Sequence, residues 1–348
     1  MAQGRSTFQN KNRARSSLIG KELAFLGAAG LAAGSAWIAY SRLAIDHHMP
    51  LPEAIPLEDG RAERQAMLNH AVGRVSYYVD CRASGRPLVL IHSINAAASA
   101  YEMSPLFHAY RDRRPVFAPD LPGFGFSERS ARAYSPELYT QAVIDFLERQ
   151  VGEAADVAAL SLGAEFVARA ALRRPELFHS IALLSPTGFS VRSGGDKGSQ
   201  QAGQSGMSRL LYPFFSFPLW GRPFYDLLTT RASIRYFLEQ SFVGQAPPDL
   251  IEYAYLTAHQ PGAEHAPLHF VTGQLFTPQA RRRLYEQVTT PTLVIYDRDN
   301  FTSFDSLPDL LALNPHWSAT RITPTLGLAH FEQLASLVNA LDRFWNRL

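Results

Sequence analysis

One stretch of the chain has the residue types that nucleophilic catalysis requires. Ser161 follows the apolar run 157–160 and precedes the helix-like segment 164–172. Ala159 and Gly163 lie two positions before and after it. Small residues are needed there because a sharp turn forces its apex residue into a strained conformation and leaves no room for bulk beside it. The pattern predicts a nucleophile elbow, G-x-S-x-G, here in the form A-x-S-x-G, with the hydroxyl at the N-terminus of a helix.

The same stretch is compatible with an ordinary buried strand-to-helix turn that carries an incidental serine. The two interpretations differ in what the rest of the chain must contain. A serine hydroxyl is a poor nucleophile at neutral pH, so it needs a histidine to accept its proton and a carboxylate to orient that histidine. A catalytic Ser161 therefore requires both groups elsewhere in the sequence.

The composition restricts the class of protein. The chain has 348 residues, of which 46% are hydrophobic and 18% charged, so it can bury a large core and is not intrinsically disordered. A formal net charge of +2 gives no reason to expect nucleic acid as a partner. The single cysteine, Cys81, excludes an internal disulfide and a thiolate-rich metal site. We expect no metal, nucleotide or organic cofactor.

The N-terminal part predicts association with a membrane. Residues 1–21 are basic, and residues 23–41 contain no charge before Arg42. A hydrocarbon core requires roughly 20 apolar residues in a helix, and a basic flank stays in the cytoplasm. We therefore expect residues 1–42 to form a basic N-terminus and a single-pass anchor, with the N-terminus cytoplasmic and the main body on the far side of the membrane.

Two alternatives remain open for this segment. A cleaved signal peptide, which would make the protein an exported one, has the same order of charged, apolar and small residues, although no convincing cleavage site follows Tyr40. A marginal helix that only touches a membrane is the other, because alanine and glycine are weakly hydrophobic. Residues 43–70 are rich in proline and are predicted to be a linker, in which the pair His47-His48 is solvated rather than bound to a metal.

Apolar runs and amphipathic segments alternate from about residue 71. The predicted strands are residues 74–80, 86–92, 114–120, 157–160 and 181–185. The predicted helices are residues 98–110, 135–151 and 164–174. Strands that alternate with helices predict an α/β fold with a mostly parallel central sheet and helices on both of its faces.

The alternation is interrupted after Gly188. Residues 193–208 are rich in Gly, Ser and Gln and are predicted to be a loop, and residues 209–285 are aromatic and helix-prone. We interpret residues 190–285 as an inserted helical cap. The strands resume with residues 291–296 and 320–323, and a helix over 331–348 ends the chain. The core domain is therefore predicted to consist of residues 71–189 and 286–348.

Four motifs, in this order, make residues 71–348 resemble the α/β-hydrolase family. They are Leu90-Ile91-His92-Ser93, the loop 120–127 (D-L-P-G-F-G-F-S, with Gly123 and Gly125), the elbow at Ser161, and residues 327–331 (G-L-A-H-F) around His330. The resemblance implies the α/β-hydrolase fold with an inserted helical cap. Its serine nucleophile separates the chain from the haloalkane dehalogenase and epoxide hydrolase branches, which use aspartate.

The resemblance also implies a catalytic triad in the chain order Ser…Asp…His. Ser161 is then the nucleophile and His330 the general base. The family's acid follows the strand that corresponds to residues 292–296. A gapless alignment places Asn300 there, and a shift by one residue places Asp299, which we prefer. Alternative acids are Asp297 and Asp305.

In the family, backbone N–H groups form the oxyanion hole. These would be the N–H of Leu162 and one N–H after His92, from Ser93 or Ile94, with Ser93 in place of the usual glycine. We expect a serine hydrolase of esterase or lipase type that acts through an acyl-enzyme on an apolar or moderately sized, ester-like small molecule. Alternatives are a carbon–carbon bond hydrolase, a perhydrolase, or a non-catalytic membrane-tethered binding protein. The sequence does not determine the oligomeric state.

Overall fold

The computed structural model describes residues 32–56, 62–190 and 206–348. Eight strands form one sheet in the order β1-β2-β4-β3-β5-β6-β7-β8. In chain order they are β1 Glu63–Asn69, β2 Gly73–Asp80, β3 Leu88–Ile91, β4 Val116–Pro119, β5 Ala155–Leu160, β6 Phe178–Leu184, β7 Thr292–Tyr296 and β8 Trp317–Arg321. β2 pairs antiparallel with β1 and β4, and all other pairs are parallel.

The central strands are buried on both faces, which explains their continuous apolar sequences. Every residue of β5 is buried. Successive side chains of a strand point to opposite faces, so Val157 and Ala159 pack into one hydrophobic cluster, while Ala158 and Leu160 pack into the other. The sheet is therefore sandwiched between two apolar layers, as the sequence predicted.

Helices supply both layers. Those of the core are α2 Ser104–Tyr110, α3 Pro136–Phe146, α4 Gly163–Arg173, α11 Leu307–Leu313, α12 Ala329–Glu332 and α13 Leu334–Trp345. A 3-10 turn, Ala100–Met103, precedes α2, and a π-helical turn, Leu147–Val151, extends α3. The α/β-hydrolase fold, with a mostly parallel sheet and helices on both faces, is confirmed.

A helical insertion separates β6 from β7. Its helices are α5 Gly206–Phe215, α6 Gly221–Leu228, α7 Arg231–Glu239, α8 Pro248–Ala258, α9 His265–Val271 and α10 Ala280–Arg283. It lies over residues 92–99, the loop that follows β3 and is called the β3 loop below, because the Tyr225 hydroxyl donates to the carbonyl oxygen of Ala96 at 2.7 Å. The cap boundaries 190–285 stay a prediction, and most of the predicted loop 193–208 lies outside the described residues.

The N-terminal helix contradicts the predicted membrane anchor. Residues 32–43 are helical (α1), and Trp37 Nε1 donates to the carbonyl oxygen of Pro223 at 2.8 Å. Ser41, the last residue of the predicted span, is buried, and its hydroxyl donates to Asp226 at 2.5 Å. No helix among the described residues is long and apolar enough to cross a bilayer. The predicted single-pass topology, with the main body on the far side, is therefore wrong; residues 23–31 lie outside the described part of the chain.

One strand lies inside the predicted linker 43–70. β1 pairs antiparallel with β2 at the edge of the sheet, and of its seven residues only Met67 is buried. An exposed edge strand needs no alternation of apolar and polar residues, so the sequence carries no strand pattern there. His47 is not simply solvated either, since its Nε2 lies 3.0 Å from Asp226 Oδ2.

Candidate active site

The predicted site residues follow the carboxyl ends of parallel strands, which lie at one edge of the sheet. Ser93 and Ile94 come shortly after β3, and Ser161 follows β5 directly. Asp299 follows β7, and His330 lies beyond β8 at the start of the short helix α12. The topology therefore brings segments that are distant in sequence to a common edge.

Ser161 has the backbone conformation expected of a nucleophile elbow. Its φ is +51°, in the left-handed region that non-glycine residues rarely adopt. Pairing of β5 with β6 holds this strained conformation in place, because the Ser161 N–H donates to the carbonyl oxygen of Leu184 at 2.9 Å. A Cβ at Gly163 would lie 2.7 Å from the carbonyl oxygen of His92, so only glycine lets α4 start this close to the β3 loop.

His92 fastens the ends of β3 and β4 together. Its Nε2 accepts a hydrogen bond from the Leu121 N–H at 2.8 Å, so the ring proton is on Nδ1, which donates to the carbonyl oxygen of Ser93 at 2.6 Å. Burial lowers the pKa of His92 to about 4, which keeps the ring neutral at pH 7. Both ring nitrogens are occupied, so His92 has a structural role.

Asp120, the first residue of the loop after β4, stabilises that loop by accepting hydrogen bonds. Asp120 accepts hydrogen bonds from the N–H groups of Ala100 at 2.8 Å and Phe126 at 2.9 Å. Burial raises the pKa of Asp120 to about 6. A Cβ at Gly125 would overlap the Asp120 carboxylate, while Gly123 faces Ala266 of the cap helix α9. The second motif therefore shapes the site and presents no free reactive group.

The amides proposed for the oxyanion hole differ in availability. The Ser93 N–H donates to Glu102 Oε2 at 2.9 Å. Within the described part of the chain, the N–H groups of Leu162 and Ile94 have no acceptor. An N–H that is held by a carboxylate does not serve a second acceptor well, so Leu162 and Ile94 are the better predictions and Ser93 the poorer one.

His330 is fully buried and turned towards the β3 side of the site. Its Nε2 donates to the carbonyl oxygen of Glu102 at 2.8 Å, while its Nδ1 is buried without any hydrogen-bond partner among the described residues. Burial lowers the pKa of His330 to about 4, so the ring is neutral at pH 7. No hydrogen bond joins the side chains of Ser161, His330 and Asp299 in the described structure.

The three candidate acids lie in different environments. Burial raises the pKa of Asp299 to about 6, and its Oδ1 accepts the Phe301 N–H at 2.7 Å. A Cβ at Gly327 would lie 3.1 Å from Asp299 Oδ2, so the loop that leads to His330 passes directly over this carboxylate. Glycine is the residue that allows such an approach.

Asp297 and Asp305 are engaged elsewhere. Asp297 accepts hydrogen bonds from Arg321 Nε at 2.7 Å and the Thr325 N–H at 2.9 Å. Burial opposes ionisation of Asp297, but these donors outweigh it and lower its pKa. Asp305 is exposed and accepts a hydrogen bond from Ser303 Oγ at 2.7 Å. Contacts of this kind are typical of structural carboxylates.

Sequence reasoning missed the buried carboxylate of Glu102, which lies beside the site. It is 8% exposed and lies between the β3 loop and His330, in the 3-10 turn before α2. An acid in the first turn of a helix is common on surfaces, where it favours the positive end of the helix dipole. The sequence therefore offers no signal that separates Glu102 from a solvated residue.

A sequence model described as the Alpha/beta hydrolase family matches residues 88–339, well over half of the chain. The chain belongs to the alpha/beta hydrolase family. The match starts at β3 and ends within α13, so it includes the serine, the three candidate aspartates and the histidine.

Individual relatives agree with this assignment. The chain is 34% identical over 119 residues to the uncharacterized hydrolase YugF of Bacillus subtilis, covering 34% of this chain and 43% of that protein. It is 31% identical over 109 residues to a 2-hydroxymuconate semialdehyde hydrolase of Pseudomonas sp. strain CF600, covering 31% and 38%. The chain thus matches about two fifths of the length of either relative.

A solved structure of a bacterial membrane phospholipase A superposes with a TM-score of 0.62 at 20% identity, covering 95% of this chain and 98% of that one. At this identity the likeness shows the fold alone.

Proposed function

We propose that this protein is a serine hydrolase that cleaves an ester-type bond through an acyl-enzyme. Ser161 is the nucleophile, His330 the general base and Asp299 the acid that orients it. The observation that carries the proposal is the left-handed conformation of Ser161 between a buried strand and α4. A strained serine at the head of a helix is typical of a nucleophile held ready to react.

The reaction follows from these roles. Ser161 Oγ attacks the substrate carbonyl carbon as His330 Nε2 takes its proton, and the oxyanion accepts hydrogen bonds from the N–H groups of Leu162 and Ile94. His330 returns the proton to the departing alcohol, which leaves an acyl group on Ser161. Water, deprotonated by His330, then attacks the acyl carbon. As the bond from that carbon to Ser161 Oγ breaks, His330 returns the proton to Oγ, which releases the acid and restores the serine.

The ring of His330 must change its contacts for this chemistry. In the structure Nε2 carries the proton and donates to Glu102, whereas a base towards Ser161 needs a free Nε2 and a proton on Nδ1. Nδ1, which has no partner within the described part of the chain, is the atom that a triad carboxylate would bind. Asp299 is the candidate beneath the Gly327 loop, and its other two competitors are already hydrogen-bonded elsewhere.

The cap supports an apolar substrate of moderate size. Its buried cluster of Ile234, Phe242 and Leu250 packs against Ala97 of the β3 loop and Phe331 beside the catalytic histidine. A substrate between the cap and these loops therefore meets mostly apolar side chains. Small-molecule esters with apolar acyl groups are the class that such surroundings favour.

A fluorophosphonate tests the proposal directly, because it reacts only with an activated serine. We expect the full-length protein to gain one adduct in intact-mass measurement and Ser161→Ala to gain none. Ester hydrolysis by Ser161→Ala should fall at least about 10⁴-fold. A well-folded parent that forms no adduct would contradict the proposal and favour a non-catalytic binding protein.

A carbon–carbon bond hydrolase is the second candidate, because the relatives include 2-hydroxymuconate semialdehyde hydrolases. The same serine and histidine serve both reactions, but a carbon leaving group must be protonated at carbon. The ratio of kcat/KM for 2-hydroxymuconate semialdehyde to that for a p-nitrophenyl ester separates the two. A ratio below 1 supports the esterase, and a ratio above about 100 supports the carbon–carbon hydrolase. Adding hydrogen peroxide to the ester assay detects perhydrolysis.

A further inference from the structure

We propose that Glu102 is a positioning residue for this active site: its side chain fixes the β3 loop that offers the Ile94 N–H to the oxyanion, and its backbone carbonyl holds His330 in the resting orientation that the ring leaves for catalysis. The proposal rests on the serine-hydrolase function. The Glu102 carboxylate touches neither substrate nor reacting atoms, so its effect passes through the residues that do.

The first support is the set of hydrogen bonds that the carboxylate receives from the loop. Glu102 Oε2 accepts the Ser93 N–H at 2.9 Å, and Glu102 Oε1 accepts Asn95 Nδ2 at 2.7 Å. Asn95 Nδ2 also donates to Ser93 Oγ at 2.9 Å, and Asn95 Oδ1 accepts the Ala97 N–H at 2.7 Å. Ile94 lies between two residues that the same carboxylate holds, so Glu102 sets the direction in which the Ile94 N–H points.

The second support is the link to the base. The carbonyl oxygen of Glu102 accepts the hydrogen bond from His330 Nε2 at 2.8 Å. The two polar ends of one residue therefore contact both catalytic elements, the loop of the oxyanion hole and the histidine. A displacement of Glu102 would move the loop and would also change the resting position of His330, and misplacement of a catalytic group by about 1 Å is enough to cost a reaction about 100-fold.

The third support is that burial of the Glu102 carboxylate lowers the stability of the fold. Glu102 is 8% exposed and has no ion pair with any described cation. Burial raises its pKa, and the donors from Ser93 and Asn95 lower it only in part. A buried carboxylate without a counter-ion destabilises a protein relative to an apolar residue of similar size. Stability alone does not explain glutamate at this position.

Asp145 provides a matched control outside the site. It is 4% exposed and also accepts two side-chain amides, from Asn69 Nδ2 at 2.5 Å and Gln141 Nε2 at 2.9 Å. It lies on α3, away from the β3 loop. Asp145→Asn therefore reproduces the chemical change of Glu102→Gln in a buried amide-bound carboxylate with no contact to the catalytic elements.

The experiment compares Glu102→Ala, Glu102→Gln and Asp145→Asn in the full-length protein. Fluorophosphonate labelling rates are measured first, then kcat and KM for the best p-nitrophenyl ester. We expect Glu102→Ala to lower kcat and the labelling rate about 10- to 100-fold with KM changed less than twofold, because only transition-state contacts are lost. Glu102→Gln keeps one acceptor oxygen and should recover part of kcat. Asp145→Asn should lower the melting temperature and leave kcat unchanged.

Asn95→Ala completes the test. It also keeps the proposal testable if the Glu102→Ala protein does not fold. If Glu102 acts by holding the loop, Asn95→Ala and Glu102→Gln should each lower kcat, and the double variant should lose less than the product of the two effects. If the parent reacts and both Glu102→Gln and Asn95→Ala keep the parent's kcat, the proposed role of Glu102 is overturned while the serine-hydrolase function stands. A parent that forms no adduct would overturn the serine-hydrolase function and this role together.

Discussion

Two loops of this molecule each contain an aspartate whose pKa is raised to about 6 by desolvation, buried Asp120 and half-buried Asp299, yet the loops differ in how their polar groups are used. Around Asp120, the carboxylate accepts two backbone N–H groups, and both ring nitrogens of the nearby His92 are hydrogen-bonded. Around Asp299, the loop to His330 passes within contact distance, but His330 Nδ1 has no hydrogen-bond partner among the residues that the structure describes.

The difference separates a loop that holds the fold from one that is available for chemistry. A buried polar atom without a partner costs about 1–3 kcal/mol, so folded proteins rarely keep one without a reason. At Asp120 that cost is avoided completely. At His330 it is accepted, and the free nitrogen is the one that a triad acid would bind. Ser161, with its strained φ, belongs to the same region.

Exchanging the carboxylate for an amide should affect activity most strongly at Asp299. Asp299→Asn removes the negative charge that would stabilise the imidazolium, so we expect fluorophosphonate labelling to slow about 10³-fold or more. Asp297→Asn is the matched control, and it should label within a few-fold of the parent because its partners are Arg321 and Thr325. The reverse order of effects would assign the acid role to Asp297.

A methyl group at Gly125 should affect stability most strongly on the structural side of the comparison. Gly125→Ala places a Cβ on the Asp120 carboxylate at a positive φ, so we expect the free energy of unfolding to fall by about 3 kcal/mol or more. Gly152→Ala is the control, since Gly152 also has a positive φ but open space around its Cα, and should cost about 1 kcal/mol. Urea unfolding measures both free energies. Equal decreases in the two variants would mean that the Asp120 side chain moves aside at little cost.

The buried histidine predicts how stability depends on pH. Burial lowers the pKa of folded His330 from 6.5 to about 4, so between these values the unfolded chain binds more protons and stability falls as the pH falls. His330→Asn removes this dependence. From pH 7 to pH 5 the variant should lose about 2 kcal/mol less free energy of unfolding than the parent. Asp120, Asp299 and His92 titrate in both proteins, so parallel stability curves would contradict burial of a neutral His330.

Relief of backbone strain gives the smallest expected effect. Ser161→Gly should raise the free energy of unfolding by about 0.5–1 kcal/mol, because glycine adopts a positive φ without strain, while it abolishes labelling. Ser161→Ala keeps the strain and should not gain stability. Ser185, at the end of the neighbouring β6, also has a positive φ of +42°, and Ser185→Gly should gain about as much. Gains at Ser185 but not at Ser161 would show that the elbow is not strained.

Local patterns determined much of the fold. Buried strands such as β3 and β5 consist almost entirely of apolar residues, with Asp156 the exception in β5, because both of their faces pack against helices. The elbow could be read from the five residues around Ser161, although the contact that requires glycine at Gly163, the carbonyl oxygen of His92, comes from a distant part of the chain. β1 could not be read in this way, because an exposed edge strand has no apolar periodicity to detect.

The membrane prediction failed because an uncharged sequence does not reveal what its residues contact. Trp37 and Ser41 satisfy their polar atoms on helix α6 of the insertion, at Pro223 and Asp226. Absence of charge is shared by membrane spans and by helices that pack on a protein surface. Only the position of the cap in three dimensions distinguishes the two over the described residues.

The sequence by itself determined that a serine lies at a strand-to-helix turn, that a histidine follows the last strand, and that both belong to an α/β fold. These properties depend on neighbours within a few positions. Only the tertiary structure decided which carboxylate lies beneath the histidine loop, that the Ser93 N–H is occupied, and that Glu102 contacts both His330 and the β3 loop. Residues 102 and 330 are 228 positions apart, and such a contact is set by how strands and loops pack rather than by any local pattern.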